Sequence, residues 1–475
     1  MSVQPERGLA PAEVLLGWVW RWRLALVAGV AALHAACFTG RWLPGEDSAA
    51  FLSLARQIGR TGGTTTPVAL EHGVMTGYAW WLAGVWQLLG GVGEASDAGR
   101  GVVLAALVVN VLAVVLLMAA VMRLFALRGE RALGVWLAVL CGVCVTLAER
   151  VVDVLPDTLF AAGTAVWLLG VESLRQARQV GSAPRRTAAG AWVLIGVGAA
   201  MMLSLRTPAL VMLGAWGVAV VLTALLRGRW KPALAVAGAV AAVSLLAWAL
   251  VPAVADDVAT VFRVLREDGP RRLLLNARHL FGEHLGEAVF GVDPGAAGWA
   301  ASAVILLGVA RLYRERLLYG VLVTVLIAQW LVFLPLPRYV LPVQPLLLLG
   351  LWRLAAGASA RLHRRFGDHG HWPVIAFTVL VVGGNVTMVV NLTLEQWARR
   401  GAEAGAIERD FIAAHRVAAQ IRSQQVPPGS VLLNKQPHPS ATMWWADIWS
   451  VPWLPYREGG VRLERADVDG EVVAR

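Results

Sequence analysis

Long apolar runs, separated by short polar segments, recur from one end of the chain to the other. An α-helix rises about 1.5 Å per residue and the hydrocarbon core of a bilayer is about 30 Å thick, so about 20 apolar residues cross it. Because the backbone must satisfy its own hydrogen bonds in lipid, such runs predict helices. The sequence therefore predicts an all-α polytopic membrane protein with about eleven transmembrane helices, at approximately 24–39, 101–122, 132–148, 157–172, 190–205, 208–226, 232–252, 297–310, 317–335, 339–355 and 373–392.

The composition agrees with a membrane protein and limits the kinds of partner that are expected. Of the 475 residues, 57% are hydrophobic and 15% are charged, whereas soluble domains carry about 25% charged residues. The formal net charge is +11. The basic residues lie in short clusters between apolar runs, which is typical of a topology signal and not of a nucleic-acid surface. We therefore expect membrane lipids, and no nucleic acid, among the partners.

The positions of arginine and lysine predict the orientation, because basic segments of membrane proteins prefer the cytoplasm. With residues 1–23 in the cytoplasm, every second connection is basic. The predicted membrane domain covers 24–392, with outer loops at about 40–100 and 253–296 and an extracytoplasmic tail at 393–475. This predicts a multi-pass protein of a plasma membrane, with its N-terminus in the cytoplasm and its C-terminus outside. The inner basic residues are Arg21, Arg23, Arg123, Arg128, Arg131, Arg175, Arg178, Arg185, Arg186, Arg227, Arg229, Lys231, Arg311, Arg314, Arg316, Arg361, Arg364 and Arg365.

The outer segments carry further patterns of their own. Residues 48–60 place apolar side chains on one helical face, which is typical of an amphipathic helix at the membrane interface. Residues 77–91 are apolar but short for a span, so we expect a helix on the outer leaflet with tryptophans at headgroup depth. In the tail, a helix-like stretch at 395–422 precedes strand-like residues 431–433, which predicts a small α/β segment. The apolar face comprises Phe51, Leu52, Leu54, Ala55 and Ile58, and the tryptophans are Trp80, Trp81 and Trp86.

Two pairs of carboxylates lie next to predicted spans, on the outer side. Glu46 and Asp47 follow the first span directly, where they are either solvated loop residues, a general base or metal ligands. Asp153 and Asp157 flank Leu155-Pro156 at the start of the fourth span. Asp157 is either a helix cap in the first turn or a functional acid, because a carboxylate so close to hydrocarbon needs a reason.

Two outer arginines run against the charge preference. Arg206 lies in Leu205-Arg206-Thr207-Pro208, and Arg338 precedes Tyr339 in Pro337-Arg338-Tyr339. One interpretation is that their side chains reach towards lipid headgroups. The other is phosphate binding, since the guanidinium fork matches phosphate oxygens. Together with the outer carboxylates, these arginines suit a reaction in which a hydroxyl is deprotonated and a lipid phosphate leaves.

Other polar residues of the outer loops are less specific. Glu71 and His72 are either exposed or in contact with substrate. The polar cluster of the second loop is expected to be a solvated helix face; it consists of Arg271, Arg272, Asn276, Arg278 and His279. Motifs for ATP binding, zinc proteolysis and serine hydrolysis are absent from the sequence, which disfavours those classes. The sequence requires no particular cofactor. A divalent cation is one candidate, and the sequence does not identify the metal.

Four patches of sequence resemble the polytopic glycosyltransferases with the GT-C fold, among them the protein O-mannosyltransferases and the lipid A aminoarabinose transferases. The patches are Gly45-Glu46-Asp47-Ser48-Ala49-Ala50-Phe51, Tyr78-Ala79-Trp80-Trp81, Leu205-Arg206-Thr207-Pro208 and Pro337-Arg338-Tyr339-Val340-Leu341-Pro342. The resemblance implies a base or metal-linked carboxylate at Asp47, with Glu46 as its assistant or substitute, and a second acidic or metal-linked position at Asp157, with Asp153 beside it. It also implies contacts from Arg206, Arg338 and Tyr339 to a lipid phosphate. Two features depart from the family: the acidic pair has the order Glu-Asp, and 71–77 lacks the usual proline-aromatic start.

The leading hypothesis from the sequence is therefore a glycosyltransferase that uses a hexosyl or pentosyl polyprenyl phosphate. It would move the sugar to a glycan, lipid or protein acceptor on the outer face of the cytoplasmic membrane. A transporter or flippase of a lipid-linked or small substrate is the second hypothesis, although the predicted spans contain few of the charged residues that line transport paths. A non-catalytic envelope assembly protein is the third.

Overall fold

The computed structural model describes most of the helical part of the chain and four short strands near its end. The described residues are 11–37, 51, 54–55, 58–59, 62, 77–89, 98–152, 155–179, 185–206, 208–231, 233–235, 237–238, 241–242, 245, 266, 269–291, 295–332, 336–401, 431–434, 449–452, 467–468 and 471–474.

Most of the described helices lie in the predicted apolar runs, whereas the predicted span 232–252 lies largely outside the described residues. The described helices are α1 Pro11–Arg21, α2 Arg23–Cys37, α3 Gly77–Leu88, α4 Ala98–Leu127, α5 Arg131–Gly142, α6 Val145–Val152, α7 Asp157–Gln179, α8 Arg185–Leu205, α9 Pro208–Leu226, α10 Gly269–His279, α11 Leu285–Phe290, α12 Gly298–Glu315, α13 Leu317–Val332, α14 Gln344–Phe366, α15 Trp372–Thr378 and α16 Gly384–Gly401. Two π-turns, Leu280–His284 and Val379–Gly383, and three 3₁₀ turns, Gly295–Ala297, Pro337–Val343 and Gly367–His371, join some of them.

Several of these helices have the length and apolar composition needed to cross a membrane. Within the described residues they are five: Ala105–Leu127, Ala188–Leu205, Pro208–Leu226, Pro337–Phe366 and Trp372–Glu395. A sixth candidate is the pair Ala12–Arg21 and Arg23–His34, which is bent by 74°. The structure thus shows a multi-pass membrane protein of predominantly helical build. The count of eleven spans, the orientation and the predicted domain limits stay predictions.

The apolar run predicted as one span at 132–148 is instead two helices, α5 and α6, with a break at Val143–Cys144. The buried side chain of Asn385 accounts for the break. Its Oδ1 accepts a hydrogen bond from Val145 N at 3.0 Å. This amide opens α6, and the first amides of a helix have no partner within the helix. The Asn385 amide nitrogen donates to the carbonyl oxygens of Val289 at 3.0 Å and Val381 at 2.8 Å. One side chain therefore ties α6, α11 and the π-turn before α16 together.

Replacing Asn385 with leucine, a side chain of similar size, is expected to destabilise the protein by about 2 kcal/mol or more, since each buried polar group left unsatisfied costs about 1–3 kcal/mol. The measurement is the midpoint of thermal unfolding in detergent, followed by fluorescence-detected size exclusion. Asn391→Leu is the matched control, because Asn391 is exposed on the same helix. Equal midpoints for the two variants would show that Asn385 does not hold these elements together.

Helices α7 and α8 form a closely packed hairpin, and the candidate site lies at one end of it. A Cβ built at Gly198 of α8 would lie 2.5 Å from the backbone nitrogen of Trp167, and one built at Gly170 of α7 would lie 2.7 Å from that of Ile195. Glycines at these crossings let the two backbones approach, as is usual between membrane helices. Because consecutive helices run in opposite directions, the first residue of α7 and the residue after α8 lie at the same end of the hairpin.

Ion pairs hold the other end of this helical unit. Glu172, near the far end of α7, accepts hydrogen bonds from Arg175 at 2.8 Å and from Arg316 at 3.2 Å. The Arg128 guanidinium lies 2.8 Å from the Glu315 carboxylate. These three arginines belong to the set that predicts the cytoplasmic side. Their side chains are thus held by carboxylates, which belong to the same helix for Arg175 and to another helix for Arg316 and Arg128.

A second compact unit comprises Cys37–Leu112, Arg150–Pro156 and Leu392–Arg475. In it, the described part of the amphipathic segment is helical, and its residues Phe51, Leu54, Ala55 and Ile58 are buried. This agrees with the predicted apolar face. The Phe51 ring meets Tyr78 of α3 edge to face at 5.2 Å.

Helix α3 lies where the outer-leaflet helix was predicted, but its tryptophans differ. Trp80 and Trp81 are 46% and 44% exposed, as expected for rings at an interface, whereas Trp86 is buried at 2%. Trp86 therefore packs against other side chains of the protein, and the headgroup depth of the three rings stays a prediction. Tyr78, on the buried face, donates a hydrogen bond to Asn110 Oδ1 of α4 at 3.2 Å.

Four short strands lie in the tail: β1 Val431–Asn434, β2 Trp449–Pro452, β3 Asp467–Val468 and β4 Glu471–Ala474. They form one sheet in the order β2-β1-β4-β3, in which β1 and β2 are parallel and the other pairs are antiparallel. The strand-like residues 431–433 lie in β1. Of the helix-like stretch 395–422, the part up to Gly401 belongs to α16, and the rest lies outside the described residues.

Candidate active site

Asp157, one of the predicted outer acids, is the first residue of α7 and is buried, with 3% of its surface exposed. A carboxylate in the first turn of a helix interacts favourably with the amide groups there. Burial of a charged carboxylate nevertheless requires a partner. That partner is a side chain from the next helix.

Arg206 follows the last residue of α8 and points its guanidinium at Asp157. Its Nη2 lies 2.9 Å from Asp157 Oδ1 and 3.0 Å from Oδ2, so one nitrogen bridges both carboxylate oxygens. The turn fixes the Arg206 backbone, whose amide donates to Met202 O at 3.1 Å and whose carbonyl accepts from Ala209 N at 3.1 Å. Arg206 Nε is buried and has no hydrogen-bond partner among the described residues. The guanidinium therefore keeps a donor for an acceptor oxygen outside the pair.

Tyr339 brings the second arginine to the same place. It lies in the 3₁₀ turn Pro337–Val343, with its ring centroid 5.6 Å from Cζ of Arg206 and 5.4 Å from Cζ of Arg338. Both distances fall within the range of a cation–π interaction. Two guanidinium groups thus lie close to one aromatic ring, and the Asp157 carboxylate is paired with one of them, that of Arg206. Guanidinium groups suit an anion with several oxygens, because their planar donors match its geometry.

The structure thus brings together four of the residues singled out in the sequence: Asp157, Arg206, Arg338 and Tyr339. The remaining predicted site residues lie outside the described residues, and their roles stay predictions; they are Glu46, Asp47, Glu71, His72 and Asp153.

The ion pair between Asp157 and Arg206 was not predicted, because the two residues were assigned separate roles. A signal for it is present in the sequence: an acid opens one helix and an arginine closes the next, so a hairpin places both at one end. The pair also bears on the divalent cation left open by the sequence. Both oxygens of Asp157 face Arg206, and among the described residues Asp157 belongs to no group of three metal-ligating side chains.

The helical arrangement is similar to that of solved proteins with the GT-C fold, in agreement with the predicted all-α polytopic fold of this type. ArnT from Cupriavidus metallidurans bound to undecaprenyl phosphate is similar with a TM-score of 0.51 and 16% identity over 91% of this chain and 85% of that chain. The archaeal oligosaccharyltransferase AglB from Archaeoglobus fulgidus, in complex with an inhibitory peptide and a dolichol-phosphate, is similar with a TM-score of 0.58 and 12% identity over 90% of this chain and 64% of that one. Neither a protein-family model nor a curated protein sequence matches the chain. The likeness therefore concerns the fold.

Proposed function

We propose that the protein is a membrane glycosyltransferase that moves a sugar from a polyprenyl phosphate to an acceptor on the outer face of the cytoplasmic membrane. The observation that carries this proposal is the cluster of Asp157, Arg206, Arg338 and Tyr339. The fold of the protein is similar to those of solved proteins bound to undecaprenyl phosphate or dolichol-phosphate. The donor's lipid tail gives a reason for an enzyme built from membrane helices.

The two arginines would hold the phosphate that links the sugar to the lipid. Arg206 offers its buried Nε, which has no partner among the described residues, and Arg338 lies with its Cζ 5.4 Å from the centroid of the Tyr339 ring. Charge-assisted hydrogen bonds from guanidinium to phosphate are strong and directional. Asp157 would serve as a positioning residue, because its carboxylate holds the Arg206 guanidinium in one direction.

The reaction would be a displacement at the anomeric carbon. The oxygen of the acceptor hydroxyl forms the new bond to this carbon, the bond from the carbon to the phosphate oxygen breaks, and its electron pair goes to the phosphate. Negative charge grows on the phosphate as that bond breaks, so donors already aimed at it lower the barrier. We propose Asp47, assisted by Glu46, as the base that takes the hydroxyl proton, and Glu71 and His72 as residues beside the acceptor.

The proposal also covers the ligands of a divalent cation, the one candidate cofactor. Because Asp157 is held by Arg206, a divalent cation in this reaction would use Asp47, Glu46 or Asp153 as ligands instead. The sugar and the acceptor, whether glycan, lipid or protein, are for experiment to identify.

A deletion strain tests the proposed function. Mass spectrometry of its envelope glycans, lipids and proteins should find one species that lacks a single sugar, and wild-type protein should restore it. The variant Arg206→Gln should fail to restore it, whereas Arg364→Gln, which removes an exposed arginine far along α14, should succeed. Loss of a whole lipid-linked precursor from the outer leaflet would favour a flippase, and an unchanged envelope would favour an assembly protein; either result contradicts the transferase.

A further inference from the structure

The segment from α10 through the π-turn Leu280–His284 to α11 carries a cluster that the proposed transfer reaction does not use. We propose that His279, Glu283 and His284 form a binding site for one divalent transition-metal ion of the Zn²⁺ type. None of these residues belongs to the pair of Asp157 and Arg206. The sequence predicted that His279 belongs to a solvated face, and it did not single out Glu283 or His284.

The distances suit a shared ion. One ligand atom from each of the three side chains lies within 4.8 Å of the other two. His279 Nδ1 is 3.1 Å from Glu283 Oε2, and the two imidazole rings are stacked with centroids 6.1 Å apart. Bonds from Zn²⁺ to nitrogen or oxygen are about 2.0–2.2 Å long, so two ligand atoms of one ion are about 3–4 Å apart. Small rotations of these side chains would bring the three ligand atoms from within 4.8 Å of one another to the separation that one ion requires.

The π-turn is what brings the second histidine to the first. In an α-helix with 3.6 residues per turn, residues i and i+5 point in directions about 140° apart. His284 would then face away from His279. The hydrogen bonds of a π-turn run from i to i+5 and place these residues above one another, and such turns are frequent at functional sites. The local backbone thus has the irregularity that this ligand set requires.

Neighbouring helices hold the turn in that form. Ser302 Oγ of α12 donates a hydrogen bond to the Phe281 carbonyl at 2.7 Å, and Gly298 packs so closely against Gly282 that a Cβ would not fit. On the other side, Asn276 Nδ2 donates to the Leu331 carbonyl at 2.9 Å, which anchors α10 to the end of α13. The two histidines are therefore close together before any ion binds, which reduces the cost of binding.

The donor set selects the kind of metal. Two imidazole nitrogens and one carboxylate suit Zn²⁺ and other transition metals, whereas Mg²⁺ prefers oxygen ligands alone. Three protein ligands leave one coordination position open. Glu287 Oε2 lies 3.5 Å from Nδ1 of His284, where it would orient the ring so that Nε2 faces the ion. The four side chains are 23–46% exposed, so an ion can reach them from solvent.

Competition with a chromophoric chelator tests the site in the full-length protein in detergent. We expect one Zn²⁺ per chain, with no comparable binding of Mg²⁺. His279→Ala combined with His284→Ala should weaken Zn²⁺ binding at least 100-fold, and Glu287→Gln should weaken it about 10- to 100-fold, as partners of metal-bound histidines do. The control His371→Ala removes a histidine from another part of the chain and should keep wild-type affinity. Equal Zn²⁺ affinity in wild type and the double variant would overturn the proposal.

Hydrogen exchange of the wild-type protein gives a second readout that does not depend on the folding of variants. Zn²⁺ should slow exchange in peptides that cover 269–291, and Mg²⁺ at the same concentration should not. Exchange that is unchanged by Zn²⁺ in this segment would also overturn the proposal. Neither measurement uses sugar transfer, so the metal site and the proposed transferase activity can fail independently.

Discussion

Replacing Arg206 with glutamine is expected to lower the rate of sugar transfer about 100- to 1000-fold, which is the usual effect of removing one donor aimed at developing charge. The same change leaves the carboxylate of Asp157, whose side chain is 4% exposed, without its partner. Breaking a buried ion pair from one side costs as much as about 3–5 kcal/mol. The variant should therefore lose both activity and thermal stability.

A second substitution separates these two effects. Asp157→Asn combined with Arg206→Gln leaves a neutral pair that can still form a hydrogen bond, so stability should recover in large part while transfer stays low. Rates are measured with a labelled polyprenyl-phosphate sugar, and stability as the midpoint of thermal unfolding. Arg364→Gln serves as the control for removal of an arginine. If the double variant regained transfer together with stability, Arg206 would act only as a structural partner of Asp157.

Replacing Asp47 with asparagine is expected to reduce transfer about 100- to 10,000-fold, the range attributed to a positioned general base. Asparagine has nearly the same size but cannot accept the hydroxyl proton, so the thermal midpoint should stay close to that of the wild type. The rate constant for transfer at saturating donor should fall, while the donor concentration at half-maximal rate should change little. Glu46→Gln is the matched comparison, and a smaller loss is expected for it.

Two outcomes would contradict the role of Asp47. Transfer at the wild-type rate in Asp47→Asn would exclude this residue as the base. A large loss in Glu46→Gln with little loss in Asp47→Asn would reverse the assignment within the acidic pair.

The apolar pattern of the sequence was sufficient to predict most helices, because burial in lipid acts on whole runs of residues. The start of α7 and the limits of α9 agree with the predicted 157–172 and 208–226. The break at Val143–Cys144 was missed, because apolar residues continue through it and its cause, Asn385, is far away in the sequence. Local pattern carries no information on such a distant hydrogen bond.

The candidate site shows the same limit. Arg206 and Arg338 could be singled out from the sequence, because an isolated arginine beside an apolar run is unusual. That both face the ring of Tyr339, and that Asp157 holds one of them, depends on how three separate turns meet. Likewise, His279 and His284 are five positions apart, and a regular helix would separate them. The π-turn that joins them depends on packing against α12, which periodicity does not reveal.

The close crossing of α7 and α8 at Gly170 and Gly198 also sets where the length of the chain can vary. Deleting one residue of α7 between Asp157 and that crossing would rotate the carboxylate by about 100° around the helix and shift it by about 1.5 Å. It would then no longer meet Arg206. Inserting residues in the connection at 180–184, beyond the crossing, would leave both side chains where they are. Homologous chains should therefore differ in length at that connection and keep a constant number of residues between the site and the crossing.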